Sequence, residues 1–567
     1  MNTDTAKNWA QRQKERGNSR LQLKKGKSRS LFGRFDKRIY AMVAVVALTL
    51  PLVTLGAYFY QRHASQTASG LAGNIINVGE GGDFQAALNQ SKAGDTIILQ
   101  AGAKYVGSFT LPNKTGREFI TIQSSELANL PGENQRVSPL DATRMPKILS
   151  SGKDAPAILT AAGAHHYRFV GIEVSVSKPE DDVFKLIYIG DDQQKTTAQV
   201  PQHIVFDRSY IHAHLQQTGR VRSGLSINGS HIEILNSYIS DFHLPNDEGH
   251  AIVAWNAPGP FLIVNNYIEA AGINVLFGGA TAQRKMNPAD LEFRRNHVTK
   301  KLEWRGSQLV KNLFELKDMR RAVVEENIFE HNWASAQDGA AIVLTPASLQ
   351  SGADARVEDV IFRLNILRKT ANGITMTGTD YGDPKYPNIP VQNRGVKIEN
   401  NLFAEIGGSW SDGNAGRFML LTSGAGPDNL TVNHNTIISS GSLLVLDGGL
   451  SKNFVFTNNI GFHNEYGIIS VGNRPGGIGT AALKGYMTQF VFKKNVIVGA
   501  DAARYPPENF YPANVSDVKF INYNTGNYRL DNSSVFRGKA TDGKDIGCDF
   551  AAILEMEKKV LAGNNNL

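Results

Sequence analysis

The chain has 567 residues, 41% of them hydrophobic, with 55 glycines and 21 prolines, which excludes a collagen-like or wholly disordered protein. Its one cysteine, Cys548, excludes an intrachain disulfide framework and a multi-cysteine zinc site. The formal net charge of +8 arises from residues 1–38, which hold 12 Lys and Arg against 3 Asp and Glu and leave 48 against 49 in the rest. This basic segment predicts attraction to acidic lipid, and no nucleic-acid partner is expected.

A transmembrane helix is predicted over residues 39–60, which carry no charge. As a helix this run would span about 33 Å, enough for the hydrocarbon core of a bilayer. The basic residues that precede it place the N-terminus in the cytoplasm by the positive-inside rule. We therefore expect a single-pass protein whose remaining residues are periplasmic or extracellular. Small residues after the run leave a cleaved signal peptide as the alternative.

Beyond a linker at residues 61–73, the sequence repeats two short strands with an asparagine or serine at one fixed turn. Examples are IVNNYIEAA around Asn266 and IENNLFAEI around Asn401, and ten such turns follow one another at intervals of 24 to 38 residues. Asn tolerates the left-handed backbone of a tight corner, and equivalent Asn side chains one rung apart can hydrogen-bond to each other. The pattern predicts an all-β fold, a right-handed parallel β-helix solenoid of about 12–13 coils.

Both ends of the solenoid carry sequences suited to capping it. The stretch INVGEGGDFQAALNQ resembles the N-terminal cap of right-handed parallel β-helix proteins, with a helix expected over residues 84–91 and Asp83 as its N-cap. An open solenoid end would expose a sheet edge, so a cap is required. The β-helix domain is predicted over residues 74–550. Residues 551–567 are predicted to form a C-terminal cap and a disordered tail from residue 564.

Over residues 74–550 the chain resembles the pectate-lyase-like superfamily of parallel β-helix proteins. That superfamily includes lyases, hydrolases, epimerases, esterases and binding proteins, so the resemblance implies a fold and leaves the activity open.

Two charged residues are distinctive on the second strand of the repeats. When these strands are aligned, Glu315 falls in a column of apolar and hydroxyl residues from Ser226 to Ser470, and Lys317 is one of two charges in the neighbouring column. We expect adjacent rungs to bring most of the other candidates within about 10–15 Å of them. These are Arg294, Arg295, Arg305, Arg320 and Arg321 from the same coil, and His250 and Trp255 from two coils earlier.

Such a cluster would suit β-elimination in a uronic-acid glycan, which needs a base and a cation that holds the substrate carboxylate. The segment NLFELKDMRRAVVEENIFEHN, residues 312–332, is similar to the corresponding stretch of β-helix lyases acting on dermatan or alginate. The resemblance implies Lys317 as the base, Arg320 or Arg321 as the carboxylate clamp, and calcium held by Glu315 with Glu326. Those lyases place an arginine on the following rung, where this chain has Thr345.

Trp255, His250, Arg294, Arg295 and Arg305 are the candidate substrate-binding residues. The sequence predicts a membrane-tethered extracytoplasmic protein that binds an acidic polysaccharide, and it leaves open whether the protein cleaves that polysaccharide. The alternative from another class is a non-catalytic envelope scaffold or adhesin-like solenoid that binds proteins. A single groove holding Lys317, the arginines and Trp255 would favour the lyase, whereas charges scattered over the faces would favour the scaffold.

Overall fold

The computed structural model describes residues 73–280, 286–347, 355–379, 391–411, 416–422 and 424–563. The predicted basic segment, the transmembrane helix over residues 39–60 and the tail from residue 564 lie outside these ranges. Within them, no helix is both long and apolar enough to cross a membrane.

The described chain winds through three long parallel sheets. Each full coil contributes one strand to each of the three sheets. The strands visit the first, second and third sheet in turn and then return to the first sheet one rung further along. Neighbours in every sheet therefore follow one another in sequence order, and the sheets contain 14, 13 and 12 strands. The all-β parallel solenoid predicted from the repeat is confirmed.

The first sheet consists of Ile75–Val78, Thr96–Leu99, Ile120–Ser124, His165–Val170, Gln202–Asp207, Ser230–Leu235, Phe261–Val264, Ala289–Arg294, Met319–Glu325, Val357–Arg363, Lys397–Glu399, Thr431–Asn433, Phe454–Thr457 and Phe490–Lys493. The second sheet consists of Lys104–Val106, Lys147–Ser150, Glu173–Val176, Tyr210–His212, Tyr238–Phe242, Tyr267–Ala270, His297–Thr299, Ile328–Asn332, Ile366–Thr370, Leu402–Ile406, Thr436–Ser439, Ile460–Phe462 and Val496–Val498. The third sheet consists of Phe109–Leu111, Ile158–Thr160, Val183–Ile189, Val221–Ile227, His250–Ala254, Ile273–Phe277, Asn312–Leu316, Ala340–Leu344, Asn372–Met376, Met419–Leu421, Leu444–Leu446 and Ile468–Ser470.

Three α-helices and one antiparallel pair complete the described chain. The helices are α1 (Phe84–Gln90), α2 (Thr480–Tyr486) and α3 (Phe550–Ala562). The pair consists of Phe520–Asn522 and Asn527–Leu530.

One hydrophobic core runs inside the solenoid from Val78 to Tyr505. Strand side chains alternate between two faces, so every second residue of each strand joins an inward column. In the first sheet, Phe169 and Phe206 occupy successive rungs of one such column, and their rings stack with centroids 4.9 Å apart. The outward residues between the core positions are thereby left to form the surface of each sheet.

An asparagine ladder lines the corner between the first and second sheets. In each rung the Asn side-chain oxygen accepts hydrogen bonds from the backbone N–H and the side-chain amide of the ladder Asn one coil earlier, at 2.9–3.1 Å. Each member is at most 1% exposed. The members are Asn266, Asn296, Asn327, Asn365, Asn401, Asn435, Asn459 and Asn495. The predicted bonding of Asn side chains up the stack is confirmed.

The left-handed residue at this corner is the one before the ladder Asn, which corrects the expectation that the ladder Asn takes that conformation. The φ angles at this preceding position lie between 52° and 60°. The position is occupied by Asn265, Arg295, Glu326, Leu364, Asn400, His434, Asn458 and Lys494. The ladder Asn is therefore required for its hydrogen bonds and not for its backbone freedom. Arg295 and Glu326, two predicted site residues, lie at this corner.

Helix α1 packs on the first coil, and the Asp83 carboxylate accepts a hydrogen bond from the Ala86 N–H at 2.9 Å. At the other end, α3 lies elsewhere than expected. It does not close the stack but packs Ile553 and Met556 against Ile328 and Ile366 of the second sheet.

Candidate functional site

The predicted alignment of the third sheet holds over most of its length. Glu315 pairs with Leu276 on one side and with Val343 on the other, and both partners are apolar as expected. The register differs from the prediction only at the last strand, where Val445 pairs with Ile469 instead of Ser470. Glu315 is thus a buried carboxylate in an otherwise uncharged outward column.

A cavity of about 370 Å³ lies over four successive coils of the third sheet. We call this cavity the third-sheet groove. Its polar lining residues are Glu315, Lys317, Gln337, Asp338, Thr345, Thr375, Arg417 and Thr422. The groove therefore combines two cations with side chains that donate and accept hydrogen bonds.

Glu315 and Lys317 form an ion pair at one end of the groove. The Glu315 side chain is 0% exposed, and its Oε1 lies 3.4 Å from the Lys317 Nζ. Neither carboxylate oxygen accepts a hydrogen bond from a described residue. A buried carboxylate without donors is costly, so the Lys317 ammonium is the group that offsets its charge.

The position of the Lys317 side chain depends on a glycine. Gly279 has a φ of +78°, and a Cβ there would stand 2.6 Å from Lys317 Cδ. Any larger residue at this position would displace the lysine stem as well as strain the backbone. The chain thus holds Lys317 against the sheet, with its side chain 22% exposed at the groove.

Arg417 supplies the second cation, which sequence analysis missed. Its side chain is 16% exposed, and one terminal nitrogen donates to Asp338 Oδ2 at 3.3 Å. Its Nε is buried and donates no hydrogen bond to any described residue. Arg417 lies two residues before the strand Met419–Leu421, outside the segments that the sequence alignment compared.

The predicted arginines do not join Lys317. Arg294, Arg320 and Arg321 lie on the outward side of the first sheet, Arg295 lies at the Asn-ladder corner, and Arg305 lies in a loop beside Trp410. None of these five residues lines the third-sheet groove with Lys317, so the single groove that would have favoured the lyase is not formed by them. For Arg320 and Arg321 the physical reason is the tight turn at Asp318, which carries the chain from the third sheet to the first and whose buried carboxylate accepts from the Arg356 backbone N–H at 3.1 Å.

On the first sheet the arginines belong to rows of alternating charge. Arg294 donates to Glu325, which also accepts from Arg363 Nε at 2.5 Å on the next rung. Arg321 makes two hydrogen bonds to Asp290, at 2.6 and 2.8 Å. We call these rows the first-sheet charge rows. Their charges stabilise one another across rungs.

The predicted calcium pair is not brought together. Glu326 lies at the corner between the first and second sheets, whereas Glu315 faces the third-sheet groove. Calcium takes six to eight oxygen ligands, and the groove offers one buried carboxylate with an ammonium 3.4 Å away. Among the described residues, no group of three or more His, Cys, Asp or Glu is arranged to hold a metal ion. The donor set of the groove does not fit calcium.

His250 and Trp255 belong to the third sheet, outside the groove. His250 is 2% exposed, and its burial lowers the pKa of the imidazole, which favours the neutral ring. Its Nε2 lies 3.3 Å from Glu248 Oε2, and Lys311 Nζ donates to the other Glu248 oxygen at 2.8 Å. Trp255 follows the strand His250–Ala254 in the same outward column as Lys317, two rungs away. His250 is therefore covered, while Trp255 faces the same side of the solenoid as the groove.

No protein-family model matches this sequence, and no curated protein does either. Solved structures similar to it include a mannuronic acid specific family 6 polysaccharide lyase from human gut microbiota, at 12% identity and a TM-score of 0.46, covering 87% of this chain and 100% of that one. The family 6 alginate lyase AlyGC is 13% identical with a TM-score of 0.45, covering 84% of this chain and 58% of that one. PfbA, a surface adhesin of Streptococcus pneumoniae, is 9% identical with a TM-score of 0.41, and the match covers 73% of this chain and 84% of that one.

These neighbours are parallel β-helix proteins that include both polysaccharide lyases and an adhesin. With TM-scores below 0.5, the similarities carry no argument about activity. The chemistry of this chain has to be derived from the side chains of the third-sheet groove.

Proposed function

We propose that the third-sheet groove binds an acidic polysaccharide and cleaves it by β-elimination. The observation that carries the proposal is the convergence of Lys317, Arg417 and the buried Glu315 on one open groove. The scaffold for protein partners stays the alternative, and the observation in its favour is that the five predicted arginines lie outside the groove, on other parts of the solenoid.

The spacing of the two cations favours a chain-like anion over a single small one. Lys317 and Arg417 belong to third-sheet strands three rungs apart, or about 14 Å along the solenoid axis. Thr345 and Thr375 lie between them and offer hydroxyls to sugar oxygens. A polyuronate lying along the groove can therefore engage both cations while its hydroxyls bond to the threonines.

In the reaction, Lys317 takes the proton from the carbon next to the uronate carboxylate. The electron pair of that C–H bond forms a carbon–carbon double bond, and the bond to the glycosidic oxygen breaks. The same lysine then donates the proton to the leaving oxygen, so the atoms balance without water. Arg417, about 14 Å further along the groove, binds the carboxylate of another residue of the same polymer and so holds the reacting uronate in position over Lys317.

Glu315 gives Lys317 a way to lose its first proton. The Lys317 Nζ lies 3.4 Å from Glu315 Oε1 as an ion pair, and no described group donates a hydrogen bond to that carboxylate. The bound glycan excludes water from this pair, so the Glu315 carboxylate is the neighbouring group that can take the proton. Glu315 then holds the proton while the Lys317 amine faces the substrate.

We place this function outside the cytoplasm, on a single-pass protein tethered to the bilayer through residues 39–60. The uncharged run and the basic segment before it support this proposal. For a periplasmic domain, we expect the β-helix to be protected from added protease in intact cells. This protection should be lost when the outer membrane is permeabilised. Digestion in intact cells is expected for an extracellular one, and protection from protease on both sides would contradict the placement.

The elimination is tested by following the ultraviolet absorbance of the unsaturated product with a panel of uronate polymers. Lys317→Ala is expected to lower the rate by about 10³-fold, because it removes the base. Lys317→Arg keeps the charge but cannot lose its proton, so it should bind the polymer and fail to cleave it. Lys559→Ala, on the exposed face of α3 where the side chain is 60% exposed, is the matched control and should behave like the parent protein.

Cleavage that survives in both Lys317 variants would contradict the assignment of the base. Binding without cleavage by the parent protein across the whole panel would contradict the lyase and leave a glycan-binding protein. The absence of binding would overturn the proposed function and favour the scaffold.

A further inference from the structure

A second cation lies on the same side of the solenoid, away from the third-sheet groove. Lys185 belongs to the third-sheet strand Val183–Ile189. Its Nζ lies 3.9 Å from the ring centre of Tyr188 and 4.8 Å from that of Trp255. The two aromatic faces hold the ammonium by cation–π attraction, which strengthens as water is excluded.

The Lys185 ammonium has these aromatic contacts but no counter-ion in contact with it. Within the described ranges, no residue accepts a hydrogen bond from it or forms an ion pair with it. Asp154, Asp191 and Asp192 act on it only from a longer distance, and burial is the main cause that lowers its pKa. The side chain thus keeps its hydrogen-bond donors available for an anion that approaches from the solvent.

In the described part of the chain, a glycine separates Trp255 from Lys317 on the outward side of the third sheet. Trp255, Gly278 and Lys317 follow one another in one outward column, because Ala254 pairs with Phe277 and Phe277 pairs with Leu316. Gly278 places no side chain between Trp255 and Lys317, which are two rungs or about 10 Å apart. A chain lying along the solenoid axis can run from the groove across this gap.

We propose that Lys185, held by Tyr188 and Trp255, is a second anion subsite for another acidic residue of the same glycan. The inference rests on the proposed function of the third-sheet groove and deepens it. The role of Trp255 changes accordingly. Only 9% exposed, it positions the ammonium of Lys185 and does not stack on a sugar.

The subsite defines the class of substrate. Lys185 and Lys317 lie on strands four rungs, or about 19 Å, apart, a span that needs an oligosaccharide with acidic groups on several residues. A neutral glycan, or one with a single acidic residue at its end, cannot occupy both cations. We therefore expect a polyuronate whose affinity increases with chain length.

The test is calorimetric titration of the full-length protein with size-fractionated oligomers of mannuronate, guluronate and galacturonate, from disaccharide to octasaccharide. In this experiment every protein, including the one called the parent, carries Lys317→Arg, so that the ligand is bound without being cleaved. Its affinity is expected to rise by about tenfold once the oligomer reaches Lys185. Adding Lys185→Met should remove this rise and leave the affinity for disaccharides unchanged, because methionine keeps the apolar stem without the charge.

Two further variants keep the result interpretable. Lys185→Arg restores a cation and should restore the dependence on length, which separates charge from a general loss of structure. Lys178→Met removes an exposed lysine nearby and should match the parent. If Lys185→Met binds long oligomers as tightly as the parent, the subsite is wrong while the proposed function stands. If the parent binds no oligomer of any length, both are overturned.

Discussion

The first and third sheets both carry charged residues on their outward faces, but they use them differently. In the first-sheet charge rows, Arg294 and Arg363 flank Glu325, so each charge meets its opposite on the next rung. On the third sheet, Lys317 and Arg417 face an open groove, and Glu315 has no hydrogen-bond donor among the described residues. The comparison teaches that the number of charges in a coil says little about function, whereas the pairing of each charge with its neighbouring rungs says much.

The largest expected effect that separates the two sheets is on turnover. Arg417→Ala should lower the elimination rate by about 10²-fold, because the polymer is no longer held in position over Lys317. The equivalent change on the first sheet, Arg321→Ala, should leave turnover unchanged and cost at most about 1 kcal/mol of stability, since its side chain is 53% exposed. The measurement is initial rate against polymer concentration for both variants. A loss of activity in Arg321→Ala equal to that in Arg417→Ala would break the comparison.

A second prediction concerns the stability that the Asn ladder supplies. Asn327 accepts two hydrogen bonds from Asn296 and donates to Phe293 O and Asn365 Oδ1, all in a buried corner. Asn327→Ala leaves several buried groups without partners and should lower the free energy of unfolding by about 4 kcal/mol. The urea midpoint measures this loss.

The control for the ladder is Asn129→Ala, which removes an exposed amide that donates to Glu126 Oε2 at 3.4 Å. It should change stability by about 0.5 kcal/mol or less. Equal effects of the two substitutions would show that the ladder is not what holds the corner together.

The third prediction uses the pH dependence of a carboxyl on the second sheet. Burial raises the pKa of Glu269 from 4.5 to about 7, against the opposing influence of Lys301. Because the folded state keeps this proton while the unfolded state loses it, stability is lost as pH rises from about 4.5 to 7. The loss is at most about 3 kcal/mol and stays constant above that range.

Glu269→Gln cannot ionise and should escape this loss. The measurement is the urea midpoint of the parent and the variant between pH 5 and 8. The urea midpoint of Glu269→Gln should increase relative to that of the parent protein as the pH rises. A difference that is the same at every pH would contradict the raised pKa.

Sequence reasoning found the repeat because the coil length and the corner Asn recur, and both follow from strand pairing. It also found the Glu315 column, since outward residues of a parallel sheet alternate with a fixed period. It placed Arg320 beside Lys317 because only two residues separate them. The intervening turn at Asp318 carries the chain from the third sheet to the first, and a turn of this kind leaves no periodic signal.

The same limit explains the missed Arg417. That residue precedes its strand, in a stretch whose length varies from coil to coil, so the repeat did not fix its register. The expected pairing of Glu315 with Glu326 failed for a related reason. Glu326 occupies the left-handed corner position with a φ of 59°, which the Asn pattern had assigned to its neighbour Asn327.

The central claim is that the glycan lies in the third-sheet groove, and a crystal structure of the Lys317→Arg protein with a uronate tetrasaccharide tests it most directly. We expect density along the solenoid axis over the groove, with one carboxylate at the guanidinium of Arg417 and hydroxyls at Thr345 and Thr375. Oligosaccharide bound along the first-sheet charge rows, with the third-sheet groove empty, would contradict it.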